Sequence, residues 1–183
     1  VDDRFSVRFP ASNASEIAGV RNGDVLSAQV TMDIKSAGVQ GFLYGLRHDP
    51  GFLEILSATH EGADPVIQGA EFKVTAIFPD GTGFFEAIVL SLNQMPPLEF
   101  PPGSGILAAS ARYGAFGLSP ETETRIEFFD GFGPQGGPPP SKTGFTLSGV
   151  FKQPRLVDIG LVRSRGFIPL FVRGDCQGDG RIS

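Results

Sequence analysis

Tryptophan is absent from this chain of 183 residues, which has one cysteine, Cys176, and only two tyrosines. A lone cysteine excludes a disulfide within the chain. No run approaches the roughly 18 consecutive apolar residues that a membrane-spanning helix needs, so no membrane span is expected. Charged residues make up only 19% of the chain and the formal net charge is −5, which makes nucleic acid a poor partner.

Glycine, proline and phenylalanine are abundant instead, with 25, 15 and 17 copies. Aromatic and β-branched residues fill strands, while glycine and proline interrupt them at turns. A chain of this length holds one main domain with an appendage. The composition therefore predicts a sheet protein with many short turns.

Strand-like segments bounded by turn residues recur along the chain. In "VLSAQVTMDI", alternate residues starting at Leu26 are apolar, which is typical of a strand with one buried face. No segment has a long helical period, so we expect few and short helices. The prediction is an all-β fold, a two-sheet antiparallel β-sandwich of jelly-roll type with about nine strands and an extended C-terminal tail. The segments are Phe5–Phe9, Val25–Ile34, Val39–His48, Leu53–Thr59, Glu71–Phe78, Gly83–Leu92, Gly105–Gly114, Thr124–Phe129 and Gly144–Phe151.

The character of the chain changes after Phe151, and we divide it into residues 1–151, 152–172 and 173–183. The middle piece, a linker or additional strands, contains the apolar runs Leu156–Val162 and Phe167–Val172. These runs either fold back on the body, which we favour, or pair with another copy. Residues up to Val150 carry 17 acidic and 9 basic residues, net −8, and the rest 3 and 6, net +3. This asymmetry has two open explanations. The charges are solvated and have no partner, or the basic tail of one copy contacts the acidic body of another.

The last eleven residues, "RGDCQGDGRIS", match the first half of a calcium-binding loop of the EF-hand kind. Such a loop uses oxygen ligands at positions 1, 3 and 5, glycine at 6, a backbone carbonyl at 7 and a carboxylate at 12. The twelfth position falls beyond Ser183, so this half alone should bind calcium weakly or not at all, and a flexible Asp/Gly-rich tail is the alternative. The candidate ligands are Asp175, Gln177, Asp179 and Arg181, the last through its carbonyl.

"FVRGDCQGDGRIS" resembles the start of a dockerin, a small module built on paired calcium loops. The body resembles a cohesin-like domain in "GDVLSAQVTMDI", "AGVQGFLYGLRHDPGFLEILSAT" and "ILAASARYGAF". The resemblance implies a nine-strand jelly roll that binds dockerin-type partners through one sheet face. It also implies a secreted bacterial protein at the cell surface or outside the cell. The chain begins without methionine or a leader, as a mature exported form would.

Catalysis has little support in the sequence. His48 and His60 fall at strand ends and are expected to be exposed turn residues. No sequence motif places a general base near Cys176. Glu121 and Glu123 have a spacing that puts two carboxylates on one strand face, but solvated charges explain them. We therefore expect no enzyme.

The function expected from these observations is a non-enzymatic extracellular module for protein–protein interaction and assembly. The expected partner of this module is a protein of dockerin or cohesin type. If the partner is another copy of this chain, the head-to-tail contact would build a filament. The alternative is a carbohydrate-binding accessory module of a secreted or cell-surface enzyme. Loop-side aromatic residues favour it, but sugar platforms usually use tryptophan and tyrosine, and Tyr44 and Tyr113 are the only tyrosines. The candidate stacking residues are Phe100, Phe116, Phe129 and Phe132.

Overall fold

The computed structural model describes residues 3–131, 141–154 and 156–165. These residues form one short helix and thirteen strands, and the strands are arranged in two sheets packed face to face. The predicted all-β jelly-roll sandwich is confirmed. The strands are β1 (Arg4–Arg8), β2 (Glu16–Val20), β3 (Val25–Ile34), β4 (Val39–His48), β5 (Leu53–Thr59), β6 (Phe72–Ile77), β7 (Gly83–Val89), β8 (Gly103–Ala115), β9 (Glu123–Phe129), β10 (Gly144–Leu147), β11 (Val150–Lys152), β12 (Leu156–Asp158) and β13 (Gly160–Ser164).

The first sheet has five strands in the order β12-β1-β3-β8-β5. The second has eight, and β4 lies at its centre. One edge of β4 pairs with β10 and, further along, with β9, while its other edge pairs with β7. β6 pairs only with β7, so β6 forms one edge of this sheet among the described residues.

The core lies between the sheets and follows the alternation seen in the sequence. The five predicted inward residues of β3, from Leu26 to Ile34, are each at most 5% exposed. Aromatic rings from both sheets meet at the centre, where Phe5 of β1 stacks on Phe145 of β10 with 4.4 Å between ring centroids. Phe5 also contacts the ring of Tyr44 on β4 at 5.2 Å. Aromatic pairs of this kind contribute about 0.5–1.5 kcal/mol beyond the area that they bury.

Two predicted elements differ from the structure. Gly144–Phe151, expected as one strand, is the hairpin β10–β11, because Ser148 and Gly149 have φ of 47° and 78° and make a two-residue turn. β2 was not expected, since "EIAGV" has no clear alternation.

The predicted strand within Leu156–Val162 is present, but it is divided between the sheets. β12 pairs in parallel with β1 in one sheet, and β13 joins β9 and β2 in the other. Gly160 permits this crossover, since an added Cβ would come within 2.6 Å of the Val7 side chain. The first apolar run therefore folds back on the body, as we favoured, while the second, Phe167–Val172, lies outside the described residues. The boundaries of the three pieces remain predictions.

The one helix in the described residues is α1 (Pro65–Gln68), where the Asp64 side chain accepts a hydrogen bond from the Val66 amide. Its four residues agree with the expectation of few and short helices. No described helix has the length and apolar character needed to cross a membrane.

Candidate docking face on the eight-stranded sheet

The outward side of β6, β7 and β4 is built from apolar residues in cross-strand rows. Val74, Ala87 and Leu43 form the central row, because the register places them directly opposite one another. Their chain neighbours on β7, including Ile88 at 1% exposure, point into the core, so the alternate residues face outward. We call this surface the apolar face; its members are Leu43, Phe72, Val74, Ala76, Phe85, Ala87, Val89, Phe129 and Phe151.

Two exposed aromatic residues lie at opposite edges of this surface. A second row runs from Phe72 on β6 through Val89 and Gly41 to β10 and β11, where it ends at Phe151. Phe72 and Phe151 are each 44% exposed. Large side chains exposed to this extent on one continuous face are typical of an interaction surface.

One end of the apolar face carries an aromatic cluster with a charged rim. Phe78, just after β6, stacks on Phe85 at 6.0 Å, and Phe129 meets Phe78 edge-on at 5.5 Å. The Arg47 guanidinium lies 5.5 Å from the Phe129 ring centroid and pairs with Glu127 at 2.7 Å. An apolar centre with a polar rim is the usual composition of a protein interface.

A row of polar side chains lies on the inner side of the same three strands. Glu86 of β7 is 0% exposed, and its Oε2 accepts a hydrogen bond from the Tyr44 hydroxyl at 2.5 Å. Its Oε1 accepts from the Thr75 hydroxyl at 3.3 Å, and His60 Nδ1 lies 3.0 Å from that hydroxyl. Burial raises the pKa of Glu86 to about 8, and burial beside Glu86 raises that of Tyr44.

The structure corrects the expectation for one of the histidines. His48 was expected at an exposed turn, but it is only 5% exposed, with its ring 5.2 Å from that of Tyr113. Burial lowers its pKa below the ordinary value of 6.5. His60 is half-buried and contacts Thr75. Their positions fit structural roles.

The carboxylate pair also differs from expectation. Glu121 has a φ of 68° and lies in the turn before β9, so it does not share a strand face with Glu123. Glu123 pairs with Arg125 at 3.4 Å and with Arg163 at 3.2 Å, and Arg163 also pairs with Glu16 of β2. Glu123 therefore belongs to a network that joins β9, β13 and β2.

The candidate stacking residues do not form one platform. Phe100 was expected near the surface, but it is buried at 2% exposure. Phe116 is 41% exposed, Phe129 belongs to the apolar face, and Phe132 lies outside the described residues. Both tyrosines are fully buried in the core, where they present no surface for sugar stacking.

The candidate calcium ligands lie outside the described residues, so Asp175, Gln177, Asp179 and Arg181 have no structural account, and neither has Cys176. Within residues 3–131, 141–154 and 156–165, no group of three His, Cys, Asp or Glu side chains is placed to hold a metal ion.

Sequence reasoning did not identify the apolar face, although a signal for it exists. β7, "GFFEAIV", carries apolar residues on both alternating sets of positions, with Phe84 inward and Phe85 outward, and Glu86 is its one charged residue. A strand of that kind is either buried on both sides or placed where its outer side contacts a partner. The sequence alone does not distinguish these two cases.

Several solved structures that are similar to this one are cohesin modules. A chain of a type I cohesin–dockerin complex from Clostridium thermocellum matches with a TM-score of 0.61 and 13% identity over 88% of this chain and 93% of that one. A type III cohesin from the cell-surface anchoring scaffoldin ScaE of Ruminococcus flavefaciens matches with a TM-score of 0.61 and 13% identity over 90% of this chain and 88% of that one. A type II cohesin from the cellulosome of Acetivibrio cellulolyticus matches with a TM-score of 0.59 and 13% identity over 88% of this chain and 95% of that one.

No family model matches the chain, and no curated protein matches it in sequence. At this identity the structural likeness establishes the fold, which is that of a cohesin module.

Proposed function

We propose that this chain is a non-enzymatic protein-docking module that binds a dockerin-type partner through the apolar face. The single observation that carries the proposal is the continuous apolar outer surface on one sheet of a cohesin fold. Several similar structures are cohesins in complex with dockerins, which supports this class of partner. The same neighbours support a secreted or cell-surface bacterial setting, since one is a cell-surface anchoring scaffoldin module.

The shape and chemistry of the face suit a protein better than a small molecule. The face is an open sheet surface, whereas small ligands are usually held in concave pockets. Its aromatic residues, including Phe72 and Phe151, are of the kind that is enriched at the centres of protein interfaces. The charged Arg47–Glu127 rim supplies orientation at the border.

Matched substitutions on the two outer surfaces test the proposal. Ala87→Asp places a carboxylate in the central row of the apolar face, and Ser110→Asp places one at the centre of the other sheet's outer side. Binding to a panel of calcium-loaded dockerins is measured by calorimetry, with folding checked by circular dichroism. We expect Ala87→Asp to weaken binding by about 2 kcal/mol, or roughly thirtyfold, and Ser110→Asp to leave it unchanged. Equal losses in both variants would refute this docking surface.

We further propose that residues 173–183 begin a dockerin-type calcium segment, with Asp175, Gln177, Asp179 and the Arg181 carbonyl as ligands. The support is the spacing of oxygen-bearing residues and Gly180. Calorimetric titration with calcium tests it on the chain extended by three residues that place a glutamate at the twelfth loop position, compared with the same extended chain carrying Asp175→Ala and Asp179→Ala. Identical heats from both proteins would contradict the assignment.

Assembly between copies is a finer part of the same proposal. The body up to Val150 has a net charge of −8 and the following residues +3, so a head-to-tail contact is electrostatically favourable. Light scattering with calcium present tests it, and a monodisperse monomer at all concentrations would exclude it. The carbohydrate-binding alternative has less support, since both tyrosines are buried; a glycan array tests it directly.

A further inference from the structure

The buried polar row lies directly beneath the proposed docking surface. The register places Thr75, Glu86 and Tyr44 opposite one another on β6, β7 and β4. The rows on either side of it along these strands, one through Ala87 and one through Phe85, face outward. One carboxyl group therefore links, from the inside, the three strands that carry most of the apolar face.

Glu86 has neutral hydrogen-bond partners in the described part of the chain. They are Tyr44 on β4 and Thr75 on β6. His60 reaches the carboxyl only through Thr75. Burial, then the charge of Glu86, and to a smaller extent Tyr113 of β8 in the facing sheet raise the pKa of Tyr44. The ammonium group of Lys73, also on β6, is bonded to the carbonyls of Gln68 and Ala70.

A carboxylate without a cation beside it is expensive to bury, so Glu86 is retained in its protonated form. Burial raises the pKa of Glu86 to about 8, in agreement with this geometry. When the proton leaves, the charge needs water. The least costly route for water is the displacement of a neighbouring strand.

Of the three strands around Glu86, β6 is the least buried. None of its six residues is fully buried, whereas seven of the ten residues of β4 are. β6 also forms backbone pairs with β7 alone among the described strands. Edge strands with few buried contacts open at lower free energy than the core.

We infer that Glu86 is a proton-controlled latch for the docking face: the protonated carboxyl holds β6 against β7, and its ionisation releases β6 with Phe72, Val74 and Ala76. The latch concerns the fold alone, and its effect on partner binding rests on the proposed function. Rising pH then removes part of the apolar face from the docking-competent state.

Hydrogen exchange of the β6 amides tests the latch without any partner. Amide exchange of Phe72–Ile77, corrected for the intrinsic pH dependence, yields the opening constant of the strand. In the wild type we expect this constant to rise by up to about tenfold per pH unit between about pH 5 and 8 and to level off above about pH 8. In Glu86→Gln, which keeps the size and the hydrogen-bond acceptor, we expect no such rise.

Two further variants make the test specific. Glu54→Gln, the same change at an exposed position of β5, should behave as the wild type. Tyr44→Phe removes a hydrogen-bond donor that stabilises the ionised form of Glu86. The opening constant of β6 should therefore level off at a higher pH in this variant than in the wild type. The latch would be overturned if the opening constant of β6 rose with pH as steeply in Glu86→Gln as in the wild type, or if it did not change with pH in the wild type.

A binding arm separates this inference from the docking proposal. The affinity for the type I dockerin of the Clostridium thermocellum complex is measured between about pH 6 and 9; we expect it to weaken by roughly two- to fivefold in the wild type and to stay constant in Glu86→Gln. If this dockerin fails to bind at every pH, the docking proposal loses support while the exchange result still decides the latch. If it binds equally at every pH although β6 opens, the latch does not regulate docking.

Discussion

The two outer surfaces of the sandwich are made by the same strand alternation and differ in what that alternation presents to solvent. On the five-stranded sheet, one outward row consists of Gln29, Ser110 and Thr59, and the next includes Ser27 and Arg112. On the eight-stranded sheet, the corresponding rows are built from phenylalanine, valine, alanine and leucine. The core needs only the inner side of each sheet, so the apolar outer side calls for a role other than stability.

Both surfaces depend on the shared core, and the largest expected effect comes from breaking it. Phe5 is fully buried between the sheets and stacks on Phe145. Phe5→Ala should lower the free energy of unfolding by about 3–5 kcal/mol, measured by chemical denaturation. Val25→Ala, at an outer position that is 49% exposed, is the control and should change little. A loss in Phe5→Ala as small as in this control would show that the two sheets are not held together there.

The pH dependence of stability sharpens the comparison, because Glu86 of the eight-stranded sheet is the one fully buried glutamate among the described residues. Its folded pKa of about 8 lies above the ordinary 4.5, so the folded state keeps a proton that the unfolded state has lost. The free energy of unfolding should therefore fall as pH rises from about 5 to 8, by up to about 1.4 kcal/mol per pH unit.

The difference between wild type and Glu86→Gln in denaturation isolates this contribution. His48 acts in the opposite sense, since its lowered pKa makes stability increase with pH near 6.5, but it is present in both proteins and cancels. Parallel stability curves for the two proteins would contradict the assignment of the buried proton to Glu86.

Two similarly exposed apolar side chains test whether exposure or context matters. Phe72 on the apolar face is 44% exposed, and Val25 on the other sheet is 49% exposed. Replacing either with serine should change stability by no more than about 1 kcal/mol. Only Phe72→Ser should reduce the fluorescence of bound anilinonaphthalene sulfonate, because only Phe72 belongs to a continuous apolar surface. An equal reduction in Val25→Ser would remove the distinction between the surfaces.

The smallest expected change in stability comes from replacing exposed glycines, and it should be the same in both sheets. Gly149, in the hairpin beside the apolar face, and Gly105, in β8 of the other sheet, have φ of 78° and 68°, and an added Cβ would meet no atom within 4 Å at either. Alanine at each should destabilise by about 1 kcal/mol, through backbone strain alone. Thermal unfolding of both variants measures this, and clearly unequal shifts would show that the surroundings contribute at one site.

Local patterns were sufficient to predict much of the fold. β3, β4 and β5 begin and end at the predicted residues, because alternating apolar positions are bounded there by turns such as "RNGD" and "HDPG". Ser148 and Gly149 were missed as a turn because Ser-Gly is a weaker signal than Asn-Gly or Asp-Gly. β12 and β13 were seen as one apolar segment, and their division between sheets depends on strands more than a hundred residues earlier.

The amino-acid order was enough to predict a two-layer β protein, since periodicity and turn chemistry act between residues close in the chain. Pairing across strands decided the rest. Only the register of β6, β7 and β4 brings Thr75, Glu86 and Tyr44 into one buried row and gathers Phe72, Val89 and Phe151 into one outer row. Such neighbours are distant in sequence, and their proximity arises only when the sheet closes over the core.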